Sequence, residues 1–263
     1  RTRVGRNDPA PHTLWAVDLA SGMSRDLTPF AKTTAQVVGL SSKHPGSLLV
    51  GMNDRDAQWH DLYRVDLASG QRSLLERNDD KIAGYIADAD FRVRYAQRSR
   101  ADGGADVLRR NDNGQWESIE DIPFEDGLTT GPGGLTSDGA TLYFTDSRGR
   151  NTAGLYAIDV ASGERSLVLD DARADVGGTL VHPVSGKVQA VAVDYLRNQW
   201  KVVDPAIGDD LKTLAAIGPG DININARTQD DTTWIVAYSA AESPQVYYRS
   251  EEHTSELQSR VSI

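Results

Sequence analysis

Residues 62–70 read LYRVDLASG, and the same nine-residue phrase stands at 14–22 as LWAVDLASG and at 155–163 as LYAIDVASG. Each copy reads as a β-hairpin. In LYAIDVASGERSLVL (155–169), Leu155, Ala157 and Asp159 alternate with Tyr156, Ile158 and Val160, the two-residue period of a strand. Ala-Ser-Gly then turns the chain, glycine taking the positive φ that other residues resist, and ERSLVL returns as the partner strand. At 107–119 the turn becomes Asn-Asp-Asn-Gly, a stronger hairpin signal of the same kind.

Aligned on the fifth residue, the copies fall at Asp18, Asp66, Asn111, Asp159 and Asp204, with spacings of 48, 45, 48 and 45 residues. A sixth start, VYYR at 246–249, puts its fifth residue another 46 along. Two further strand-like runs precede each hairpin. They are AQVVGLS (35–41) with SLLVGMN (47–53), KIAGYIA (81–87) with FRVRYAQ (91–97), and GPGGLTS (131–137) with TLYFTDS (141–147). VGGTLVH (176–182) with VQAVAVD (188–194), and DININAR (221–227) with TWIVAYS (233–239), follow. Turn formers such as His44-Pro45-Gly46 and Ser137-Asp138-Gly139 separate each pair. Four antiparallel strands per roughly 45 residues is the unit of a β-propeller blade. A β-sandwich also has many short strands but needs no four-strand period. The expected fold is therefore all-β, an incomplete β-propeller, with the repeated phrase as the outer hairpin of each blade. The one helix-like stretch, GDDLKTLAAI (208–217), sits where the fifth hairpin turn is expanded.

The expected domain is a partial propeller over 1–248. Four complete blades lie within 35–217, and partial blades stand at both ends. Arg1–Val4 is read as a strand remnant of the first. The sixth is expected to lose its outer hairpin and leave Thr233–Ser239 unpaired. The run RSEEHTSELQS (249–259) breaks both the strand period and the apolar content, and it closely resembles the translation of a common sequencing-adapter oligonucleotide. Residues 249–263 are accordingly read as a non-native tail.

Composition narrows the function. The net charge of −10 argues against nucleic acid or anionic membranes as partners. Apolar stretches fall short of the roughly 18 residues of a membrane helix. There are no cysteines, which excludes disulfides and thiolate chemistry and leaves the compartment open. No cofactor signature is found: Gly131, Gly133 and Gly134 enter a strand without a following helix, so they form no phosphate loop. Asn111, Asn113, Gly114 and Glu120 mimic a calcium loop, but Arg109 stands where its first acid belongs. His12, His44, His60 and His182 lie in loops without zinc spacing. No Gly-x-Ser-x-Gly nucleophile elbow occurs, so no catalytic residue is assigned and the chain alone is expected to be inactive.

At HDLYRVDLASGQRSLL (60–75), DIPFEDGLTTGP (121–132), TLYFTDSRGRNTAGLYAIDVASGERSLVL (141–169) and HPVSGKVQAVAVDYLRNQW (182–200), the chain resembles the N-terminal propeller of prolyl oligopeptidase family serine peptidases, in particular acylaminoacyl- or dipeptidyl-peptidase-like members. The resemblance covers roughly 12–248. It implies a C-terminal α/β-hydrolase domain as partner, carrying a Ser–Asp–His triad, and a propeller that restricts the active site to short peptides. The other reading is a non-catalytic propeller serving as a binding scaffold, as in TolB-like proteins, which share the LYxxDxxSG phrase.

The arginines add a candidate surface. In an up-and-down blade the loop between strands two and three lies on the same face as the connection between blades. Those loops hold Arg6, Arg55, Arg98 or Arg100, Arg148 with Arg150, and Arg197. Arg55, Arg148, Arg150 and Arg197 are the candidate site residues, meeting the hydrolase domain or a peptide carboxylate through the guanidinium fork. The competing reading is neutralisation by Asp79, Asp80, Glu125, Asp126, Asp170, Asp171 and Asp175 on the same face.

Overall fold

The repeated phrase folds the same way each time. Asp18, Asp66 and Asp159 each leave a strand, and one carboxylate oxygen accepts from the backbone N–H of the serine three residues on, at 2.7, 2.8 and 2.7 Å. The serine hydroxyl donates to the same oxygen at 2.6, 2.7 and 2.8 Å. Gly22, Gly70 and Gly163 follow with φ of 71°, 73° and 75°, and each N–H returns to the aspartate carbonyl at 2.8 Å. The aspartate fixes the turn before the glycine reverses the chain. Asn111 repeats the arrangement, its Oδ1 accepting from Asn113 and Gln115 ahead of Gly114 at φ 74°.

The computed structural model describes residues 12–250, apart from 19 and 219, together with the backbone of 251 and 257–261. Arg1–Val4 and Arg6 lie outside the described residues. The chain divides into two compact units, which meet in sequence between Phe124 and Glu125. In the first unit, β1 (Trp15–Val17) and β2 (Ser24–Asp26) pair as a hairpin. A second sheet joins β3 (Ala35–Leu40), β4 (Ser47–Met52), β5 (Asp61–Asp66) and β6 (Arg72–Glu76). A third joins β7 (Ile82–Ala87), β8 (Val93–Ser99), β9 (Ala105–Arg110) and β10 (Trp116–Ile122).

In the second unit the fourth sheet joins β11 (Gly131–Leu135), β12 (Thr141–Asp146), β13 (Gly154–Asp159) and β14 (Arg165–Leu169). The fifth holds β15 (Val176–Val181), β16 (Val188–Tyr195) and β17 (Arg197–Val202), followed by helix α1 (Gly208–Ile217). The sixth joins β18 (Asp221–Arg227), β19 (Thr233–Ala240), β20 (Ser243–Glu251) and β21 (Leu257–Val261). Every sheet is antiparallel with its strands in chain order, the up-and-down blade of a β-propeller.

Two expectations need correction. The fifth blade is not a complete four-stranded sheet: after β17 the chain forms a helix where its siblings form an outer strand. Asp204 still caps the exit, its carboxylate accepting from the Ala206 N–H at 3.0 Å. Pro205 follows, fixed at a helical φ, and Asp209 and Asp210 occupy the first turn of α1, where the helix dipole favours acids. Ile207, Leu211 and Leu214 then bury one face against Trp234, Val236 and Tyr238. The second correction concerns the sixth blade. β19 is paired on both sides, with β18 and with β20, so its edge is not open. β20 extends through Arg249 and Ser250 to Glu251, and the backbone of Leu257–Val261 adds as a fourth strand. Tyr248 supplies the side-chain reason for β20, packing edge-on against Tyr238 at 5.4 Å.

Within each unit, successive sheets pack face to face. β4 turns Leu48, Val50 and Met52 toward β1, β2 and the residues flanking them, where Leu14, Ala16 and Leu27 lie, and turns Leu49 toward Phe91, Tyr85 and Val93 of the third sheet. In the second unit Val188 and Val191 of β16 pack with Ala153 and Leu155, while Ala190 joins the Trp234 cluster. Burying a valine or leucine side chain contributes about 1.5–3 kcal/mol, so β4 and β16 are main stabilising layers of their blades.

The glycine turn provides a test. Gly163 stands at φ 75° with open space where a Cβ would go, whereas Gly178 in β15 has equally open space and an ordinary φ. Gly163→Ala should destabilise by about 1 kcal/mol through backbone strain alone, while Gly178→Ala should be neutral or slightly stabilising. Denaturant unfolding of the two variants distinguishes them, and equal effects would contradict the turn assignment.

Candidate functional site

In the second, third and fourth sheets the connection between the second and third strands is held by an arginine gripping a carboxylate at or near a strand end. In the second sheet, Arg55 Nε and Nη2 donate to the two oxygens of Asp61, both at 2.8 Å. Asp61 is buried at the start of β5 and also accepts from the Asn78 N–H at 2.8 Å. Arg55 Nη2 reaches the Asn78 carbonyl at 2.9 Å and approaches Asp79 at 3.4 Å. Asn78 in turn exchanges hydrogen bonds with Ile82 at 2.8 and 2.9 Å, carrying the network to β7. In the third sheet Arg98 and Arg100 share Asp106, and Arg100 also pairs with Asp102 and Asp121.

The fourth sheet repeats the grip with the acid moved to the end of the second strand. Arg148 Nε and Nη2 donate to Asp146 at 2.9 and 2.8 Å, and the Arg148 N–H does so at 3.0 Å. Arg150 reaches Asp170, the Thr152 carbonyl and the Tyr156 hydroxyl. In the fifth sheet the loop contracts to Leu196, with φ 62° and 93% exposure, and Arg197 opens β17. Arg197 donates through Nε to Asp221 at 3.2 Å, and its side chain is 58% exposed.

The electrostatics follow the pairing. The hydrogen bond from Arg55 holds the Asp61 carboxyl below its ordinary value, and the same bond raises the Arg55 guanidinium above its own. Burial opposes the charge on Asp146, but the Arg148 side chain and N–H outweigh it and the carboxyl lies low. Asp106 behaves alike: burial raises it, and Arg98 and Arg100 lower it further than burial raises it. These are ionised pairs built to hold loops.

Arg55, Arg148, Arg150 and Arg197 therefore all stand in or beside second-to-third-strand loops, and each engages a carboxylate of its own or the next connection. Of the inter-blade acids named from sequence, Asp79 and Asp170 meet candidate arginines. Asp171 meets Arg173, Asp175 accepts from the Ala153 N–H, and Asp126 accepts from the Ser147 hydroxyl. The strand-end acids Asp61, Asp106 and Asp146 were not singled out, because their roles depend on pairing across a loop. Arg72 and Arg165 were passed over although they recur within the repeat, in GQRS and GERS. Arg72 stacks on Phe30 and Tyr63 and meets Asp54 at 2.7 Å; Arg165 stacks on Phe144 and Tyr156 and meets Asp146 at 2.8 Å.

Among the described residues no histidine shares a hydrogen bond with a serine or threonine hydroxyl. The His182 ring accepts from the N–H groups of Val184 and Ser185, and His44 stacks on Phe91 at 5.1 Å. Ser147 donates to Asp126 at 2.6 Å and lies beside the hydroxyls of Thr129 and Thr130.

The architecture is that of the β-propellers. A putative TolB from Agrobacterium tumefaciens superposes with a TM-score of 0.58 at 12% identity, covering 94% of this chain and 87% of that one. A prolyl endopeptidase structure superposes with a TM-score of 0.52 at 11% identity, covering 90% of this chain and 44% of that one. In sequence, the chain is 75% identical over 236 residues to dipeptidyl aminopeptidase BIII of Pseudoxanthomonas mexicana. That match takes in 90% of this chain and 34% of the relative, so the chain spans about a third of the relative's length. No family model matches the sequence. The chain therefore has the β-propeller fold, and in sequence it is similar to a part of a dipeptidyl aminopeptidase.

Asp61 is the sharpest test of the loop grips. Asp61→Asn should lower stability at neutral pH by about 2 kcal/mol, since it removes the ion pair and weakens the acceptor of the buried Asn78 N–H. A carboxyl held low contributes stability that is complete above its unfolded value of 3.8 and is lost as pH falls through the folded value. The variant should therefore lose less stability than the parent as the pH drops below about 4. Parallel acid limbs in pH-dependent melting would contradict the assignment.

Proposed function

We propose that this chain is the substrate-screening propeller of a serine-type dipeptidyl peptidase, and that in the full-length protein it admits short peptides to a hydrolase domain supplied elsewhere in that protein. The observation that carries this reading is the 75% identity to a dipeptidyl aminopeptidase, in which the matched segment is a minority of the length. The hydrolase domain and short peptides are the partners on this reading. The second-to-third-strand loops of each unit supply contacts. In the first unit Arg55 holds its loop in shape through its carboxylates; in the second, Arg148 and Arg150 do so, and the more exposed Arg197 offers guanidinium donors to a peptide carboxylate. The second reading, a TolB-like binding scaffold, rests on the superposition at 12% identity, which speaks for the fold.

The full-length protein distinguishes them. It should release dipeptides from chromogenic substrates and be blocked by a serine-directed inhibitor, and the present chain alone should do neither. Arg197→Ala in the full-length enzyme should raise KM severalfold with kcat and melting temperature held, whereas Arg150→Ala should lower the melting temperature. Absence of peptidase activity in the full-length protein would favour the scaffold. An unchanged KM in Arg197→Ala would remove that residue from substrate binding while leaving the peptidase assignment standing.

A further inference from the structure

Where the four-stranded sheets place a fourth strand, no strand among the described residues pairs with the outer edge of β17, since α1 packs into the Trp234 cluster instead. A groove of about 620 Å³ runs there, lined by all six residues of β17, by Leu211, Lys212 and Ala215 of α1, and by Asp221 and Ile222. Successive residues of a strand point to opposite faces, so one groove touches Arg197 through Val202 in turn only if it follows the strand's edge. That edge presents the unpaired N–H and C=O groups of an interrupted ladder.

The groove has a definite chemical character. Two of the six lysines in this acidic chain, Lys201 and Lys212, line it together with Arg197, and its one acid, Asp221, is already paired with Arg197. Asn198 Oδ1 is buried there without a hydrogen-bond partner, while its amide nitrogen donates to Asp194 at 2.8 Å. The third sheet shows what completes such an edge. Its basic third strand β9, ADVLRR, pairs with an acidic fourth strand β10, WESIEDI, with Arg109 meeting Glu117 at 3.3 Å. β17, RNQWKV, is likewise basic.

We propose that the β17 edge is a docking site for an extended, acidic peptide segment of a partner protein, which adds to the fifth sheet as its missing fourth strand. Six residues of β17 offer a ladder about 20 Å long, enough for five or six residues of peptide. A second copy of the chain joining edge to edge would set lysine and arginine against lysine and arginine, which disfavours that occupant. This site is independent of the peptidase reading, since it lies on the outer edge of one blade and needs no catalytic domain.

A labelled heptapeptide of the β10 sequence, Trp-Glu-Ser-Ile-Glu-Asp-Ile, serves as the probe in fluorescence anisotropy with the present chain. Saturable binding is expected, weakening with salt and falling at least tenfold in the Lys201→Glu/Lys212→Glu variant, whose own melting temperature stays unchanged because both side chains reach solvent. Methylating the peptide's alternate amide nitrogens should abolish binding for one set and spare the other, since only one set faces the ladder. Hydrogen exchange should slow at the β17 amides. The proposal is overturned by equal affinity in the double variant, by equal binding of a peptide with lysine in place of the three acids, by indifference to both methylation patterns, or by no saturation up to about 1 mM.

Discussion

The second strands β4 and β16 have no solvent face over most of their length, and much of the architecture follows from that constraint. β4 gives one side to Leu27 and its neighbours and the other to Phe91; β16 divides its valines and alanines between two clusters in the same way. A strand buried on both sides is held only if a sheet lies over each, so the blade is stable as part of a stack. β4 and β16 accordingly carry no charged residue in their buried stretches, and polar groups gather where the chain leaves them. There the chain leaves the core, and there the Arg–Asp grips stand. Two buried charged residues, Asp146 at the end of the second strand β12 and Asp61 at the start of the third strand β5, flank such loops with a guanidinium fork on each.

The grips and the capped turns divide the labour at opposite ends of the blade. At the hairpin end the aspartate of the repeat accepts two hydrogen bonds from one serine, a local device needing no partner outside five residues. At the other end Arg55 joins its own loop, the strand-end acid and the connection that leads to the next sheet. The first device sets the register of a hairpin, and the second sets the spacing of one sheet from the next. Charge pairs at partly exposed positions add little energy each, but a bidentate pair that also satisfies a buried N–H such as that of Asn78 is costly to break.

How much of this was legible depended on how local each signal was. The hairpins were, because Asp, Ser and Gly at fixed offsets act within one turn. The strand pairs before them were legible from alternation and turn residues, and 208–217 was already visible as a helix-like stretch. The consequence of that helix was not: Pro205, Asp209 and Asp210 favour a helix, but only the burial of Leu211 and Leu214 against Trp234, 23 and 20 residues on, turns it inward and removes the fourth strand. The pairing of 257–261 was hidden for a related reason. Backbone pairing tolerates a polar sequence that carries none of the repeat's signals. At the candidate face the arginines could be named from position in the repeat. Their strand-end partners could not, because a carboxylate at the start of β5 or the end of β12 looks like any surface acid until the loop folds over it.

The aspartate that follows or ends the repeat's strand in four blades has one further implication. In three blades it opens a tight turn, and at Asp204 the same residue, at the same place in the repeat, opens a helix. The cap commits the backbone to leave the strand and is indifferent to what is built next. The outermost element is therefore the interchangeable part of each blade, separated from the buried layers by a joint that accepts either shape. Gene duplication could copy such a unit many times and then alter single rims without disturbing the hub, so variety along the periphery comes at little risk to the core.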